Sequence, residues 1–232
     1  MDQRTAPQTL TALLRLLDAQ GWDGTTVDEL AREAGMSRAT FFRTFGGKED
    51  VVFADHTDML TRLEDFLAGT DHDTASALRE GLLLVFRHHL EDADRTMARH
   101  RLLRQSQALR NRELLTSHRY EAVFRHWLAD RLAATGALAD EADVGPLSAA
   151  LAGACVALHN SYLRRWLRER DDTLREEFSA QAGQLIRVML QGYREPAAAA
   201  EAPAQRPVAV VTVVGQHADT EEIVDAVRRA LG

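Results

Sequence analysis

The chain has 232 residues and a formal net charge of -7, and 45% of its residues are hydrophobic. Such a composition is typical of a folded globular protein, and the acidic balance argues against a protein that coats nucleic acid without sequence preference, although a local basic patch could still bind DNA. No apolar run reaches the length of a membrane span, the N-terminus lacks the pattern of a signal peptide, and a single cysteine, Cys155, cannot form an internal disulfide. We therefore expect a cytoplasmic protein.

Most of the chain has the periodicity of amphipathic helices. Apolar residues recur at intervals of three and four, and glycines or capping residues mark the expected helix ends. The sequence therefore predicts helices over residues 8–20, 26–34, 38–44, 48–67, 74–92, 94–105, 110–134, 145–169 and 172–192.

The composition changes after residue 192. Residues 193–207, which include "REPAAAAEAPAQRP", predict an alanine- and proline-rich linker, and "VAVVTVV" begins a predicted strand and helix at residues 208–232. A strand and a helix are too few to bury their own apolar surface, so this extension is expected to dock on the body of the protein or on a partner chain. The fold class is therefore predicted to be all-α, with a short C-terminal β-strand and helix as an appendage.

Residues 25–50, "TTVDELAREAGMSRATFFRTFGGKED", have the spacing of a helix-turn-helix motif. Thr26 followed by Glu29 predicts a capping box, and Gly35 permits a tight turn. Phe41 and Phe45 are expected in the small core. The outward face of the second helix then carries short polar side chains and arginines, which suit base edges and phosphates in a major groove.

This stretch resembles the DNA-binding domain of the TetR family of bacterial transcriptional regulators, over roughly residues 8–55. The resemblance implies a homodimer in which each chain places one recognition helix in a major groove of double-stranded operator DNA. It divides the chain into a DNA-binding domain, 1–50, and a helical domain for ligand binding and dimerisation, 51–192. The last two long helices, about 145–192, are expected to form a four-helix bundle with their mates.

The resemblance also assigns residues to the DNA interface. Lys48 matches a lysine that contacts the phosphate backbone, and Phe42 stands where the family commonly has tyrosine. The first 50 residues carry five arginines and Lys48 against eight acidic residues, which predicts weak nonspecific binding. The residues expected to contact DNA are Thr25, Thr26, Ser37, Arg38, Thr40, Phe42, Arg43 and Lys48.

The arginine-rich segment 98–114 has two interpretations. It can be an ordinary solvated face, or its arginines can form an anion site at the mouth of an apolar pocket. The apolar residues behind it can equally fill an ordinary core. The C-terminal half loosely resembles regulators that sense long-chain acyl-CoA, which predicts an apolar effector with an anionic head. The candidate pocket residues are Phe86, Met97, Arg101, Arg104, Phe124, Trp127, Cys155, His159, Tyr162 and Trp166.

The sequence gives no indication of a metal site, a cofactor or a catalytic motif. The histidines never combine with a carboxylate at ligand spacing, and there is no nucleophile elbow, phosphate loop or dinucleotide-binding glycine pattern. We therefore expect a repressor, not an enzyme, that a small-molecule effector releases from a palindromic operator. Two alternatives stay open at this point: an activator or ligand-independent regulator, and a helical interaction protein that does not bind DNA.

Overall fold

The computed structural model describes residues 7–136, 138 and 141–194. Within these ranges the chain forms helices and no strand, as the all-α prediction requires. The predicted strand and helix at 208–232 lie outside the described residues. The last helix continues to Arg194, so the first two residues of the predicted linker are helical and the rest of the linker also lies outside the described residues. The helices are α1 Pro7–Gln20, α2 Val27–Glu33, α3 Arg38–Phe45, α4 Lys48–Val52, α5 Ala54–Gly69, α6 Thr74–Glu91, α7 Ala93–Gln105, α8 Gln107–Thr135, α9 Val144–Glu169 and α10 Leu174–Arg194, with a short 3-10 turn at Glu141–Asp143.

The single helix predicted over residues 48–67 is wrong, because the chain breaks at Phe53 between α4 and α5. In a continuous helix the carbonyl oxygen of Val52 would accept a hydrogen bond from the amide of His56. Here His56 donates to the carbonyl of Phe53 at 3.1 Å, and the Val52 oxygen accepts from Arg99 Nε at 2.7 Å. A side chain of α7 therefore takes the acceptor that would have continued the helix.

The N-terminal helices α1 to α4 share a compact apolar core. Leu13, Leu14 and Leu17 of α1 are fully buried in it, as their helical spacing predicts. The core also includes residues of the larger domain, namely Ala98 and Leu102 of α7 and Leu109 of α8. The N-terminal helices are therefore packed directly on α7, and a movement of α7 would move them.

A second core joins α5, α6, α8, α9 and α10. Gly81 marks the closest approach within it, because a Cβ at this position would lie 3.1 Å from the ring of Phe124 and 3.2 Å from Leu63. A larger residue would therefore force these side chains to shift by a few tenths of an ångström where α6 crosses α5 and α8. The rings of Phe86 and Phe178, with centroids 4.7 Å apart, join α6 to α10.

Helices α9 and α10 bury one face and expose the other. In α10 the buried residues recur every four positions, from Leu174 through Phe178 and Ala182 to Ile186. Val188 lies on the opposite side and is 61% exposed. No helix of the described ranges is both long and apolar enough to cross a membrane.

Candidate DNA-binding surface and effector cavity

The start of α2 has the predicted capping box. The hydroxyl of Thr26 accepts a hydrogen bond from the amide of Glu29 at 3.3 Å, and the Glu29 carboxylate accepts from the amide of Thr26 at 2.8 Å. Two amides at the open end of the helix are thereby satisfied. Thr26 lies at the surface of the helix-turn-helix motif, where its side chain is exposed. Its hydroxyl also donates a hydrogen bond to the Glu29 carboxylate.

The turn between α2 and α3 depends on Gly35. Its φ of +65° lies in the left-handed region that favours glycine. The amide of Met36 donates to the carbonyl of Ala31 at 2.8 Å, and the amide of Gly35 donates to that of Arg32 at 3.0 Å. This pair of bonds is a Schellman motif, which ends α2 and fixes the direction in which α3 begins.

Helix α3 separates its phenylalanines into core and surface. Phe41 is fully buried and Phe45 nearly so, with ring centroids 4.9 Å apart, which confirms their predicted place in the core. Phe42 is 41% exposed. Ser37 caps the helix by accepting from the amide of Thr40 at 3.1 Å, and the two hydroxyls lie 2.9 Å apart.

Arg38 is held in place on the outer surface of α3. Its guanidinium pairs with Asp28 of α2 at 2.7 Å and lies over the ring of Phe42, 5.5 Å from the centroid. Arg43 is exposed, and the described residues offer its side chain no ion pair. The helix therefore presents one oriented and one freely available arginine on either side of an exposed aromatic ring.

Two of the predicted DNA-contacting residues have side chains that form hydrogen bonds within the protein. Thr25 is only 2% exposed and donates its hydroxyl to the carbonyl of Gly21 at 2.9 Å, so its side chain stabilises the loop and does not face solvent. The ammonium of Lys48 donates to the carbonyls of Trp22 at 2.5 Å and Thr25 at 3.1 Å, and lies 4.3 Å from the centroid of the Trp22 ring. Lys48 therefore fastens the loop before α2 to the start of α4, with one of its three N–H groups left over.

Two arginines of segment 98–114 are bound to the N-terminal helices. Arg101 pairs with Asp18 of α1 through both its Nε and a terminal nitrogen, at 2.9 and 2.6 Å, and Arg112 pairs with Asp50 of α4 at 2.6 Å. Arg110 donates to the carbonyl of Leu103 at the end of α7. Arg101 and Arg112 therefore join the larger domain to the N-terminal helices, and Arg110 joins α8 to α7, so in this conformation the three side chains are engaged within the protein.

A buried ionic cluster lies at the break between α4 and α5. Asp55, in the first turn of α5, pairs with Arg99 and lies 3.2 Å from Arg95 Nε and 3.1 Å from His88 Nε2. Burial alone would raise the pKa of Asp55, but the charge of Arg99 and the hydrogen bonds outweigh it and hold the pKa well below its usual value. The carboxylate is therefore ionised and links α5 to α6 and α7.

A partly enclosed cavity lies beside this cluster. We call it the histidine cavity. Residues of α5, α6, α8 and α9 surround it. The volume within which the centre of a water molecule can move is about 30 Å³. In this conformation it therefore has room for one or a few waters and not for an acyl chain. The lining residues are His56, Leu82, Val85, His89, Glu113, Thr116, Ser117, Tyr120, Phe124, Val156, His159, Asn160 and Leu163.

The polar side of the histidine cavity has unusual protonation properties. Burial lowers the pKa of His56 to about 3 and that of His159 to about 4, and it holds the pKa of His89 well below its usual value. Burial raises the pKa of Glu113. The three imidazoles are therefore neutral at physiological pH.

Only part of the predicted pocket lines this cavity. Phe124 and His159 do, whereas Trp127 faces an open groove between α5 and α8. His56, His89 and Glu113 were missed, since they come from three different helices and no spacing along the chain links them to His159. Of the other candidates, Phe86, Cys155 and Trp166 are buried in the core, and Met97, Arg101, Arg104 and Tyr162 do not line the cavity.

The N-terminal helices match a family of known proteins. The family model described as "Bacterial regulatory proteins, tetR family" matches residues 10–54, which cover α1 to α4 and the break. Residues 10–54 therefore match the segment that the TetR family shares, as the sequence resemblance predicts. The predictions of a transcriptional regulator and of a protein that is not an enzyme are thereby confirmed.

A curated relative covers most of the chain. The Mycobacterium tuberculosis protein MftR, whose name assigns it to the transcriptional regulation of mycofactocin biosynthesis, is 27% identical over 169 residues, which are 72% of this chain and 82% of that protein. This likeness extends well beyond the helix-turn-helix segment.

Two solved structures show the same fold. FadR of Bacillus subtilis, solved in complex with stearoyl-CoA, is 16% identical with a TM-score of 0.56 and covers 80% of this chain and 97% of its own. NalD of Pseudomonas aeruginosa, the secondary repressor of the MexAB-OprM multidrug efflux pump, is 19% identical with a TM-score of 0.53, over 82% of this chain and 96% of its own. At these identities the likeness concerns the fold.

Proposed function

We propose that the protein is a dimeric, ligand-responsive repressor. Residues 7–52 read a palindromic operator, and the helices from α5 onward hold an effector and form the dimer. The observation that supports it best is the position of the histidine cavity, which shares the first turn of α5 with the buried cluster at the end of the DNA-binding segment. A protein of this kind would work in the cytoplasm, where its operator is.

The proposed DNA interface is the exposed side of α3 with its flanking caps. Ser37, Arg38 and Arg43 are exposed, and Phe42 offers an apolar surface suited to a thymine methyl group. Thr40 and Thr26 lie at its edge, and Lys48 can offer its remaining N–H to a phosphate. Arg38 would exchange Asp28 for a phosphate or a guanine edge, which costs little because the Asp28 pair is exposed.

The proposed dimer is formed by the outer faces of α9 and α10. Ala149, Ala150 and Ala157 of α9 are exposed and small, which permits close approach of a second helix, and Val188 of α10 is also an exposed apolar residue. Two recognition helices related by a two-fold axis would then meet half-sites about 35 Å apart.

Effector binding would act through the distance between those helices. One conformation would place the two recognition helices at the distance that the operator requires, and another would not. A ligand that binds the second conformation more tightly lowers operator affinity by the difference between its two binding free energies, typically about 1–3 kcal/mol. A long-chain acyl-CoA would need a larger cavity than the one present and a set of free cations, whereas Arg101, one of the two arginines named as pocket residues, is paired with Asp18. The cavity therefore favours a more compact effector.

The experiment is fluorescence anisotropy of the full chain on DNA from the upstream region of its own gene, across a salt series. Tight, salt-dependent binding to that region and weak binding to random duplex of equal length would support the proposal. If selection from genomic fragments also yields no bound sequence, the proposal is wrong.

A ligand-independent regulator is the second candidate. It is favoured by the small volume of the histidine cavity, which the protein's own side chains nearly fill. Operator binding that no small molecule alters, together with no measurable ligand binding by calorimetry, would establish it over the first.

A further inference from the structure

We propose that the histidine cavity binds a compact, uncharged molecule that donates hydrogen bonds through hydroxyl or N–H groups, and that this molecule is the effector. The second half of this statement rests on the proposed function. Ligand binding to the cavity does not depend on DNA, so it can be tested separately from the ligand's role as effector.

The first support is a set of buried polar atoms with no partner. His56 Nε2, His89 Nδ1, Glu113 Oε2 and His159 Nε2 are all shielded from solvent, and the described residues provide none of them with a hydrogen bond. All four residues line the histidine cavity. An unsatisfied buried polar atom is costly, so a ligand that completes these bonds would gain affinity from each one.

The second support is the proton on His159. Its Nδ1 lies 3.2 Å from the amide oxygen of Asn160, while the amide nitrogen of Asn160 points to the hydroxyl of Ser117 at 3.5 Å. Because that oxygen can only accept, Nδ1 carries the proton of the neutral ring and Nε2 is left as an acceptor. The lowered pKa of His159 agrees with a neutral ring. A ligand must therefore donate a hydrogen bond at this position.

The third support is the charge around the cavity. Among its lining residues there is no lysine or arginine, and the lining does include the carboxyl group of Glu113. The nearest buried cations, Arg95 and Arg99, are already paired with Asp55. An anionic head would therefore lack a partner. A metal ion is disfavoured as well, because the described part of the chain contains no group of three or more His, Cys, Asp or Glu residues arranged to hold one.

The apolar side of the cavity sets the shape of the ligand. Leu82 and Val85 of α6, Phe124 of α8, and Val156 and Leu163 of α9 form a wall suited to a flat or aliphatic body. Since there is room for only a few waters, any larger molecule must separate these helices.

His56 would report that separation. It follows Asp55 directly in α5, and its Nδ1 lies 3.0 Å from the hydroxyl of Tyr120 in α8. A ligand that pushes α8 away, or that binds His56 Nε2, would pull on the first turn of α5 and so on the break at Phe53.

The test is isothermal titration calorimetry of the full chain with catechol and with benzoate, which are similar in size but differ in charge and in donors. We expect catechol to bind with one site per chain and benzoate at least about tenfold more weakly, a difference of about 1.4 kcal/mol. His159→Asn, which removes the acceptor at Nε2, should weaken catechol binding about tenfold. His159→Gln, which returns an amide near that position, should recover part of it. The control is His118→Asn, at an exposed site on α8.

Three results would overturn the inference: no heat of binding with catechol, equal or tighter binding of benzoate, or a catechol affinity that His159→Asn and His118→Asn leave equally unchanged. Circular dichroism establishes that each variant is folded. Anisotropy on the operator keeps the two proposals apart. Operator binding released by palmitoyl-CoA but not by catechol would overturn this inference and retain the repressor. Catechol binding without any operator binding would retain the ligand site and overturn both the repressor and the effector role of the ligand.

Discussion

Arg99 Nε donates a hydrogen bond to the carbonyl oxygen of Val52, 2.7 Å away, at the residue where the helix leaving the DNA-binding segment ends. The same guanidinium pairs with Asp55 in the first turn of the next helix. One buried side chain of α7 therefore holds both ends of the break. Since α7 also packs on α1, the DNA-binding helices and the first turn of α5 share a single anchor.

We expect Arg99→Met to lower the free energy of unfolding by about 3–5 kcal/mol, because it leaves the buried carboxylate of Asp55 short of its main counter-charge. Chemical denaturation measures the loss. The matched control is Arg101→Met, which breaks a more exposed pair with Asp18 and should cost no more than about 1 kcal/mol. Similar losses in the two variants would contradict the role given to Arg99.

Stability should fall as the solution is acidified from about pH 7 to about pH 4. The pKa values of His56, His89 and His159 are lowered by burial, so below about pH 6.5 the unfolded chain binds more protons than the folded one. Each histidine then removes up to about 1.4 kcal/mol per pH unit until its folded pKa is reached. Asp55 acts only at lower pH, since its pKa is also lowered.

Urea denaturation across this range provides the measurement. His159→Leu should reduce the slope of the free energy of unfolding against pH by about the contribution of one histidine. His118→Leu, at an exposed site, should leave this slope unchanged. A wild-type stability that does not change between about pH 7 and about pH 5 would show that these rings are not held neutral by the fold.

Two adjacent phenylalanines of α3 should respond in opposite ways. Phe41→Ala should cost about 3–5 kcal/mol of stability, because its ring is fully buried. Phe42→Ala should leave stability nearly unchanged and weaken operator binding by about 1–3 kcal/mol, since its exposed ring faces the proposed DNA. Thermal unfolding and anisotropy at one salt concentration give the two values. Loss of stability without loss of binding in Phe42→Ala would place this ring in the core only.

The local features of the DNA-binding segment could be predicted from the sequence because each depends on neighbours in the chain. Thr26 and Glu29 are three residues apart, and Gly35 needs only its own φ to make the turn. The break at Phe53 could not be predicted in this way. Residues 48–67 carry an unbroken helical pattern, and the acceptor at Val52 is taken by Arg99, 47 residues further along the chain.

The cavity was beyond prediction for a similar reason. Its polar atoms come from His56 on α5, His89 on α6, Glu113 on α8 and His159 on α9, and no spacing along the chain brings them together. The arginines of segment 98–114 were more conspicuous. Their partners, such as Asp18 and Asp50, lie in helices whose packing the sequence pattern does not specify.

The proposed dimer gives a prediction with a matched control. Val188 of α10 and Leu114 of α8 are exposed by similar fractions, 61% and 68%. Val188→Asp should shift the protein towards monomer in analytical ultracentrifugation, because it places a charge in the proposed four-helix bundle. Leu114→Asp, on a helix outside that bundle, should leave the dimer intact. If Leu114→Asp dissociates the protein and Val188→Asp does not, the dimer uses another face.

Lys48 combines a structural role with a proposed DNA contact, and Lys48→Ala separates them. The structural role is a clamp, because the ammonium bonds to the carbonyls of Trp22 and Thr25, and its loss should cost about 1.5–3 kcal/mol of stability. The proposed contact uses the remaining N–H. If that group binds a phosphate, the log–log salt dependence of operator binding should become less steep by about 0.9. Arg43→Ala, which has no clamp to lose, should reduce the slope similarly and leave stability unchanged. A stability loss in Lys48→Ala with an unaltered salt slope would retain the clamp and remove Lys48 from the DNA interface.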